Sequence, residues 1–299
     1  MADRLIPRMA WLNGELIPTQ DVRISPFDRG FLFGDGVYEM VRVFGGTPIA
    51  MDAHEARLAK SLQATRIKGF DASHYTTIVN QLLSVEHLLD ATVYLQITRG
   101  ADINRRHLPD PSVPPTVFAF ALPAPSVEHL SSLTSTRVIL KPDERWHHCE
   151  IKAIGLLPNV LAMMQADEHG ASEAILHRHG LISEGTHSNL LIAVDDALVT
   201  PPSHAAPSIL DGTMRRMALD AAREIGIPVQ ERPLHVDELR NAGEIALTSS
   251  RKILHAVSHV DDHPVGRPEE ENQIMSKVFT RMRDSIVASM KETADHAVT

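Results

Sequence analysis

The chain has 299 residues, of which 43% are hydrophobic and 22% charged, with one Cys and a net charge of −9. That is ordinary globular composition, long enough for one large or two modest domains. A single Cys excludes an intrachain disulfide and fits a reducing compartment. The acidic balance argues against a nucleic-acid footprint. No apolar run approaches the roughly 20 residues of a membrane span, and residues 1–11 carry charges and lack the apolar stretch of a signal peptide. The expectation is a soluble cytoplasmic α/β protein acting on small molecules, with neither nucleic acid nor membrane as partner.

In chain order, residues 37–44 read as a strand, and Gly45-Gly46 signals a hairpin into 47–51. Asp52 and Glu55 have the spacing of a capping box, as N-cap and N3 of a helix running to about Arg66 with Leu58 and Leu62 at i, i+4. A second helix is expected over 75–89, with Ile78, Leu82, Val85 and Leu89 on one stripe. Strands follow over 92–98, ending in Arg99-Gly100, and over 116–122. The Pro-rich joint at 122–126 reads as a short stiff linker, which divides the chain into a smaller domain over 1–121 and a larger one over 127–299. In the larger part, 151–157 is an apolar, mostly buried strand interrupted by one lysine. Pro158 and Gly170 bracket a helix of about a dozen residues. Short strands are expected over 174–176, 181–183 and 189–194, with His179-Gly180 and Asp195-Asp196 as turns. A helix over 213–225 is closed by Gly226, a strand over 244–248 enters Ser249-Ser250, and 269–290 is a long terminal helix.

Several chemistries are excluded by what is missing. No G-x-S-x-G nucleophile elbow and no phosphate-binding G-x-x-x-x-G-K-[ST] occur. Gly34-Asp-Gly36 lacks the third glycine of a dinucleotide fingerprint and precedes a strand. Seventeen His raise the question of a metal, chiefly at His147-His148-Cys149. If this segment is a strand, its neighbours point to opposite faces and the two histidines cannot share one ion; no H-x-x-x-H or C-x-x-C supports a site, and no metal is expected.

Lys152 needs a chemical explanation. It is flanked by Ile151, Ala153, Ile154, Leu156 and Leu157. Burial disfavours the charged form of an amine, and a neutral amine is a nucleophile towards carbonyls, suited to Schiff-base formation. The bland alternative is a strand-end lysine reaching to solvent.

The surrounding motifs decide between these. Arg145-Trp-His-His-Cys149-Glu-Ile-Lys152, then Glu173-Ala-Ile-Leu-His177-Arg178, then Ser183-Glu184-Gly185-Thr-His-Ser188-Asn189 resemble the fold type IV pyridoxal-phosphate aminotransferases. The segment Asp28-Arg-Gly-Phe-Leu-Phe-Gly34-Asp35-Gly36-Val-Tyr38-Glu39 resembles that family's N-terminal signature. The resemblance runs from about Trp11 to Ser258 and is strongest to the D-amino acid transaminases, with branched-chain aminotransferases and aminodeoxychorismate lyases as relatives. It implies a two-domain α/β (α+β) fold with pyridoxal 5′-phosphate held between the domains.

Role by role, the resemblance implies that Lys152 carries the cofactor as a Schiff base and moves the substrate proton. Glu184 contacts the pyridine nitrogen. Arg57, Thr213 and Met214 at a helix start, and Ser249 and Ser250 after a strand, bind the phosphate, while Leu210 packs on the ring. Tyr38 and Arg145 lie near the phenolic oxygen and the substrate carboxylate. Arg105 and His107 form an R-x-H trap for that carboxylate, reaching the neighbouring subunit of a homodimer, with Arg106 able to substitute. The expected activity is amino transfer from a D-amino acid such as D-alanine or D-glutamate to a 2-oxoacid by ping-pong half-reactions. Alternatives are an L-branched-chain aminotransferase, an (R)-amine transaminase or an aminodeoxychorismate lyase of the same fold, and, from another class, a non-catalytic small-molecule-binding protein.

Overall fold

A computed structural model describes residues 6–266 and 273–298. It divides into two compact units that are not continuous in sequence. The first holds residues 6–128, Ile151–Gly155 and 288–298; the second holds His129–Glu150 with residues 156–266 and 273–287. Cutting at 122–126 therefore leaves the Lys152 segment with the second half, whereas its contacts place it in the first unit.

The first unit is built from β1 (Met9–Leu12), β2 (Glu15–Pro18), α1 (Arg29–Phe33), β3 (Gly36–Phe44), β4 (Thr47–Pro48), α2 (Met51–Thr65), α3 (His74–Glu86), β5 (Ala91–Thr98) and β6 (Thr116–Pro123). The six strands form one antiparallel sheet, ordered β2-β1-β6-β5-β3-β4. Alternation sends Val37, Val41, Val93, Leu95, Ile97, Val117 and Ala119 to one face, where they pack on Leu58 and Leu62 of α2 and on Tyr75, Ile78 and Leu82 of α3. The other face carries half-buried Tyr38, Tyr94, Phe118 and Phe120, with ring centroids 5.3–5.7 Å apart along the row.

The second unit contains β7 (Ser135–Pro142), α4 (Leu157–Glu168), β8 (Glu173–Arg178), β9 (Leu181–Gly185), β10 (Asn189–Val194), β11 (Ala197–Thr200), α5 (Thr213–Glu224), β12 (Val229–Glu231), α6 (Val236–Asn241), β13 (Glu244–Ser249), β14 (Ile253–Val260) and β15 (His263–Pro264). The sheet runs β12-β11-β10-β13-β14-β7-β8-β9, with β15 on β14. It is mixed: β7 is parallel to both β14 and β8, and β11 is parallel to β12. Both faces are covered, one around Val138, Ile175, Leu190 and Ile245, the other around Ile139, Ala162, Ala166 and Leu176. The terminal helix is α7 (Gln273–Val298); the expected start at Glu269 lies outside the described residues.

Four local expectations are corrected. No capping box opens α2, because its N-cap is Ala50 in the left-handed region and Glu55 instead accepts from the amide and hydroxyl of Thr76. The α3 stripe does not reach Leu89, which lies past the helix and is exposed, while Val79 and Leu83 join the buried face. Residues 151–157 form no strand. Ala153 makes one isolated bridge to Val37, and Leu156 and Leu157 begin α4 as exposed residues. His147-His148-Cys149 is a loop, so the alternation argument does not apply to it.

Gly100 closes β5 where backbone meets backbone. Its φ is +94°, and a Cβ there would overlap the carbonyl oxygen of Pro114. Neither main chain can give way as a side chain would. Gly100→Ala is expected to cost at least about 2 kcal/mol from backbone strain and overpacking, read as a lower midpoint in urea unfolding.

Candidate active site

Each unit presents its own set of chemistry-bearing groups. In the first, Lys152 is half-buried, and its main chain is fixed by two bonds: the Tyr38 amide donates to Lys152 O at 3.0 Å, and the Lys152 amide donates to Ser61 Oγ at 3.3 Å. Its Nζ lies 4.1 Å from the centroid of the Tyr38 ring. The structure thus brings Lys152 and Tyr38 together, and it does so with an irregular segment rather than a strand.

Behind this pair lies a charged cluster in which the sequence pattern pointed to Arg57 alone. Glu39, fully buried, takes Arg57 Nε on Oε1 at 2.7 Å and Arg57 Nη2 on Oε2 at 2.8 Å, while His54 Nδ1 lies 2.7 Å from Oε2. Burial alone would raise the Glu39 pKa, but the charge and hydrogen bonds of Arg57, with His54, hold it well below the usual carboxylate range. His54 is pushed down, chiefly by burial. The expected phosphate arginine is therefore one half of a buried ion pair joining β3 to α2. A signal was available: Glu39 sits at a core-facing position of β3 between Val37 and Val41, and His54, Arg57 and Ser61 share a helix face with Leu58.

The R-x-H loop is also in this unit. The Arg105 guanidinium carbon lies 5.1 Å from the centroid of Phe33, and the His107 ring lies edge-on to the same ring at 5.8 Å. Arg106 points to Asp110, 3.7 Å away. Arg105 and His107 thus converge on one platform, the Phe33 ring, and Arg106 does not join them.

In the second unit, Glu184 is buried and has three donors. Arg145 Nη1 reaches Oε1 at 2.7 Å; Asn189 Nδ2 and the Leu210 amide reach Oε2 at 2.9 and 3.0 Å. Asn189 Nδ2 also donates to Leu210 O at 2.8 Å, so Glu184 and Leu210 form one bonded group. Burial raises the Glu184 pKa, and the opposing charge and hydrogen bond of Arg145 do not cancel this. Arg145 is forked on Asp143, with Nε and Nη2 each at 2.9 Å, and Ser183 Oγ donates to the same carboxylate at 2.8 Å. Burial works against ionisation of Asp143, but the Arg145 and Ser183 bonds win and bring its pKa to about 2.

Two residues beyond Leu210, Gly212 is the N-cap of α5, with no side-chain cap bond. A Cβ at Gly212 would overlap Asn189 Oδ1, so only glycine fits this approach. Thr213 and Met214 open the helix, whose first amides have no partner within it and whose dipole favours an anion. Ser249 ends β13 next to Thr248, the register partner of Asn189, and its Oγ accepts from the Lys252 amide at 3.3 Å; Ser250 follows in the turn. Asp143, like His54 in the first unit, is a neighbour that sequence reasoning did not single out, and Asn189 stood in a motif without a role; each is found only through its partner.

The amino-transferase class IV family model matches residues 36–260. The chain belongs to this family. As a class IV aminotransferase it is 33% identical over 282 residues to the D-alanine aminotransferase of Bacillus licheniformis, spanning 94% of this chain and 98% of that one. In fold it matches the branched-chain amino acid aminotransferase from Escherichia coli, at TM-score 0.82 and 22% identity over 94% of each chain. It also matches the PLP-bound form of a hypothetical aminotransferase from Mycobacterium tuberculosis, at TM-score 0.78 and 22% identity over 94% of this chain and 99% of that one. The expectations of family, mixed two-domain fold and pyridoxal-phosphate dependence are borne out.

The buried charges can be tested one at a time. Glu39→Gln leaves the Arg57 guanidinium buried without its anion and is expected to cost roughly 3–5 kcal/mol, measured by urea unfolding. Asp143 has a depressed folded pKa, so it contributes stability above the unfolded carboxylate value of about 4, and that contribution is lost as pH falls through about 2. Asp143→Asn is therefore expected to flatten the decline in stability between about pH 5 and about pH 2, read from unfolding midpoints across that range.

Proposed function

We propose that the chain is a D-amino acid:2-oxoacid aminotransferase in which Lys152 carries pyridoxal 5′-phosphate. The convergence of Arg105 and His107 on Phe33 carries the substrate reading, and the relation to proteins named D-alanine aminotransferase supports it. A guanidinium fork with an imidazole beside it suits the α-carboxylate of an amino acid.

The donor set of the second unit fits the cofactor. Glu184 supplies an acid of raised pKa for a pyridine nitrogen, bonded to Leu210 on the approach to a helix start without a side-chain cap. Thr213, Met214, Ser249 and Ser250 supply amide and hydroxyl donors for a phosphate. Arg57, its guanidinium oriented by Glu39, is the corresponding cation of the first unit. When bound, the cofactor supplies an electron sink for negative charge at the substrate Cα.

The remaining steps belong to the chain. Lys152 Nζ would accept the proton lost from the substrate Cα and deliver it to the cofactor's C4′ carbon, acting first as general base and then as general acid. Tyr38, against which Nζ lies, limits where that amine can swing. Arg145 keeps Glu184 in place and shares its charge with Asp143. Arg105 and His107 orient the carboxylate, so that one Cα face is presented.

The loop around this trap is apolar and open. Phe31 of α1, and Ile103 and Leu108 of the loop, are 79%, 77% and 76% exposed, apolar side chains that a second copy of the chain would cover. This exposure accords with a homodimer in which the loop completes the neighbouring site. Among the described residues no helix is long and apolar enough to cross a membrane. The lone Cys149 is a buried free thiol, which accords with a cytoplasmic location.

The deciding experiment is a half-reaction followed by visible absorption. D-Alanine is expected to bleach the bound aldehyde cofactor, while L-alanine leaves it unchanged. Lys152→Ala should abolish turnover, and Arg105→Leu should raise the KM for D-alanine by about tenfold or more, the loss of a charge-assisted pair. Bleaching by L-alanine, or indifference to Arg105→Leu, would move the chain to one of the related activities.

A further inference from the structure

The trap residues sit on an exposed loop, yet the loop's main chain is held from below. Arg29, the first residue of α1, is almost wholly buried. Its Nη1 donates to Arg106 O at 2.8 Å and its Nη2 to His107 O at 3.1 Å. Its Nε donates to Asp35 Oδ2 at 2.8 Å, and Asp35 is in turn gripped by Arg99 through Nε and Nη2, each at 2.8 Å. The Arg29 guanidinium carbon also lies 4.8 Å from the centroid of Phe33, the platform for Arg105 and His107. One guanidinium therefore touches the carbonyls of two successive loop residues and the ring on which the two trap side chains rest.

We propose that Arg29 is the positioning residue of the substrate-carboxylate trap, fixing the peptide from which Arg105 and His107 project. The inference rests on the reading of Arg105 and His107 as the carboxylate receptor. The geometry gives a reason for a buried arginine here. This stretch is irregular loop, with no strand partner to fix it, so the side chains at 105 and 107 reach the same ring only while its main chain keeps its course, and the carbonyls that Arg29 holds are those of 106 and 107. Asp35 sets the direction of the fork: with Nε committed to a carboxylate, only the two terminal nitrogens remain to bind the loop. A lysine could match the charge opposite Asp35 but not both carbonyls, since an ammonium is a point donor without a planar fork. A receptor held in its binding geometry loses less freedom when a ligand arrives. Removing the brace should therefore weaken substrate binding and leave the chemistry at Lys152 intact.

The test uses the holoenzyme with Arg29→Lys and Arg29→Gln. The KM for D-alanine is expected to rise about tenfold, with kcat within about twofold of wild type and the bound-cofactor spectrum unaltered, and with Lys recovering little of the loss. Independently of substrate, trypsin should cut after Arg105 or Arg106 several-fold faster in the variants, because loop opening sets the cleavage rate. An unchanged cleavage rate overturns the proposal. So does a loss of kcat in step with thermal stability at constant KM, or failure of both variants to fold, since either makes Arg29 a structural residue only. If wild-type protein ignores D-alanine while the variants are still cut faster, the brace stands and the substrate reading fails.

Discussion

Glu39 has no exposed surface, and Arg57 closes on both of its oxygens while His54 meets one. A carboxylate at that depth stays ionised only if opposite charge and hydrogen bonds replace the water it has lost. The pair fixes β3 against α2, and Lys152 is hung between those two elements. Its carbonyl accepts from Tyr38, the residue before Glu39, and its amide donates to Ser61, one turn beyond Arg57. The position of the amine is thus set by main-chain bonds to two elements whose separation an ion pair maintains. Asp35 with Arg29 and Arg99 repeats this solution under the loop 105–107, and Arg145 with Asp143 and Glu184 repeats it in the second unit.

Much of this architecture was legible because local and tertiary preferences agree. The strands β3, β5 and β6 alternate as their sequences do, since each has one face on the helical layer and one on the aromatic row. Turns at Gly45-Gly46, His179-Gly180 and Asp195-Asp196 all use the left-handed region, which glycine adopts freely and Asp and His tolerate better than branched residues. What the sequence hid is non-local. The apolar run at 151–157 has the composition of a buried strand, but only Ala153 finds a strand partner, and its last leucines open a helix that buries little besides Ala162 and Ala166. Glu55 has the spacing of a capping box, but Thr76, from another helix, competes for it and wins.

Site residues divide along the same line. Lys152, Glu184 and the R-x-H loop, on which the proposed reading rests, stand in motifs. The residues that hold them could not be read from spacing, because a partner such as Ser61 for Lys152, or Arg29 for the loop 105–107, is defined by contacts across 91 and 77 positions respectively, which no spacing rule covers. Arg57 is the instructive case. Its residue type suits a phosphate, yet its firmest bonds are to Glu39, so any part it takes in anion binding is subordinate to a structural pair.

Two of the buried carboxylates, Glu39 and Glu184, carry opposite shifts, and this separates their tasks. Glu39 has a guanidinium closing on it through two nitrogens, with a histidine in addition, and is driven below the ordinary carboxylate range; it is a permanent anion. Glu184 receives a single guanidinium nitrogen from an arginine already forked on Asp143, and burial prevails over that shared charge. A carboxylate left short of compensation in this way stabilises a proton, or a cationic N–H, brought up to it. Asp143 shares Arg145 with Glu184 and, as a second negative charge nearby, adds to the upward shift that burial imposes on that acid, which under the proposed reading suits it to a ring nitrogen.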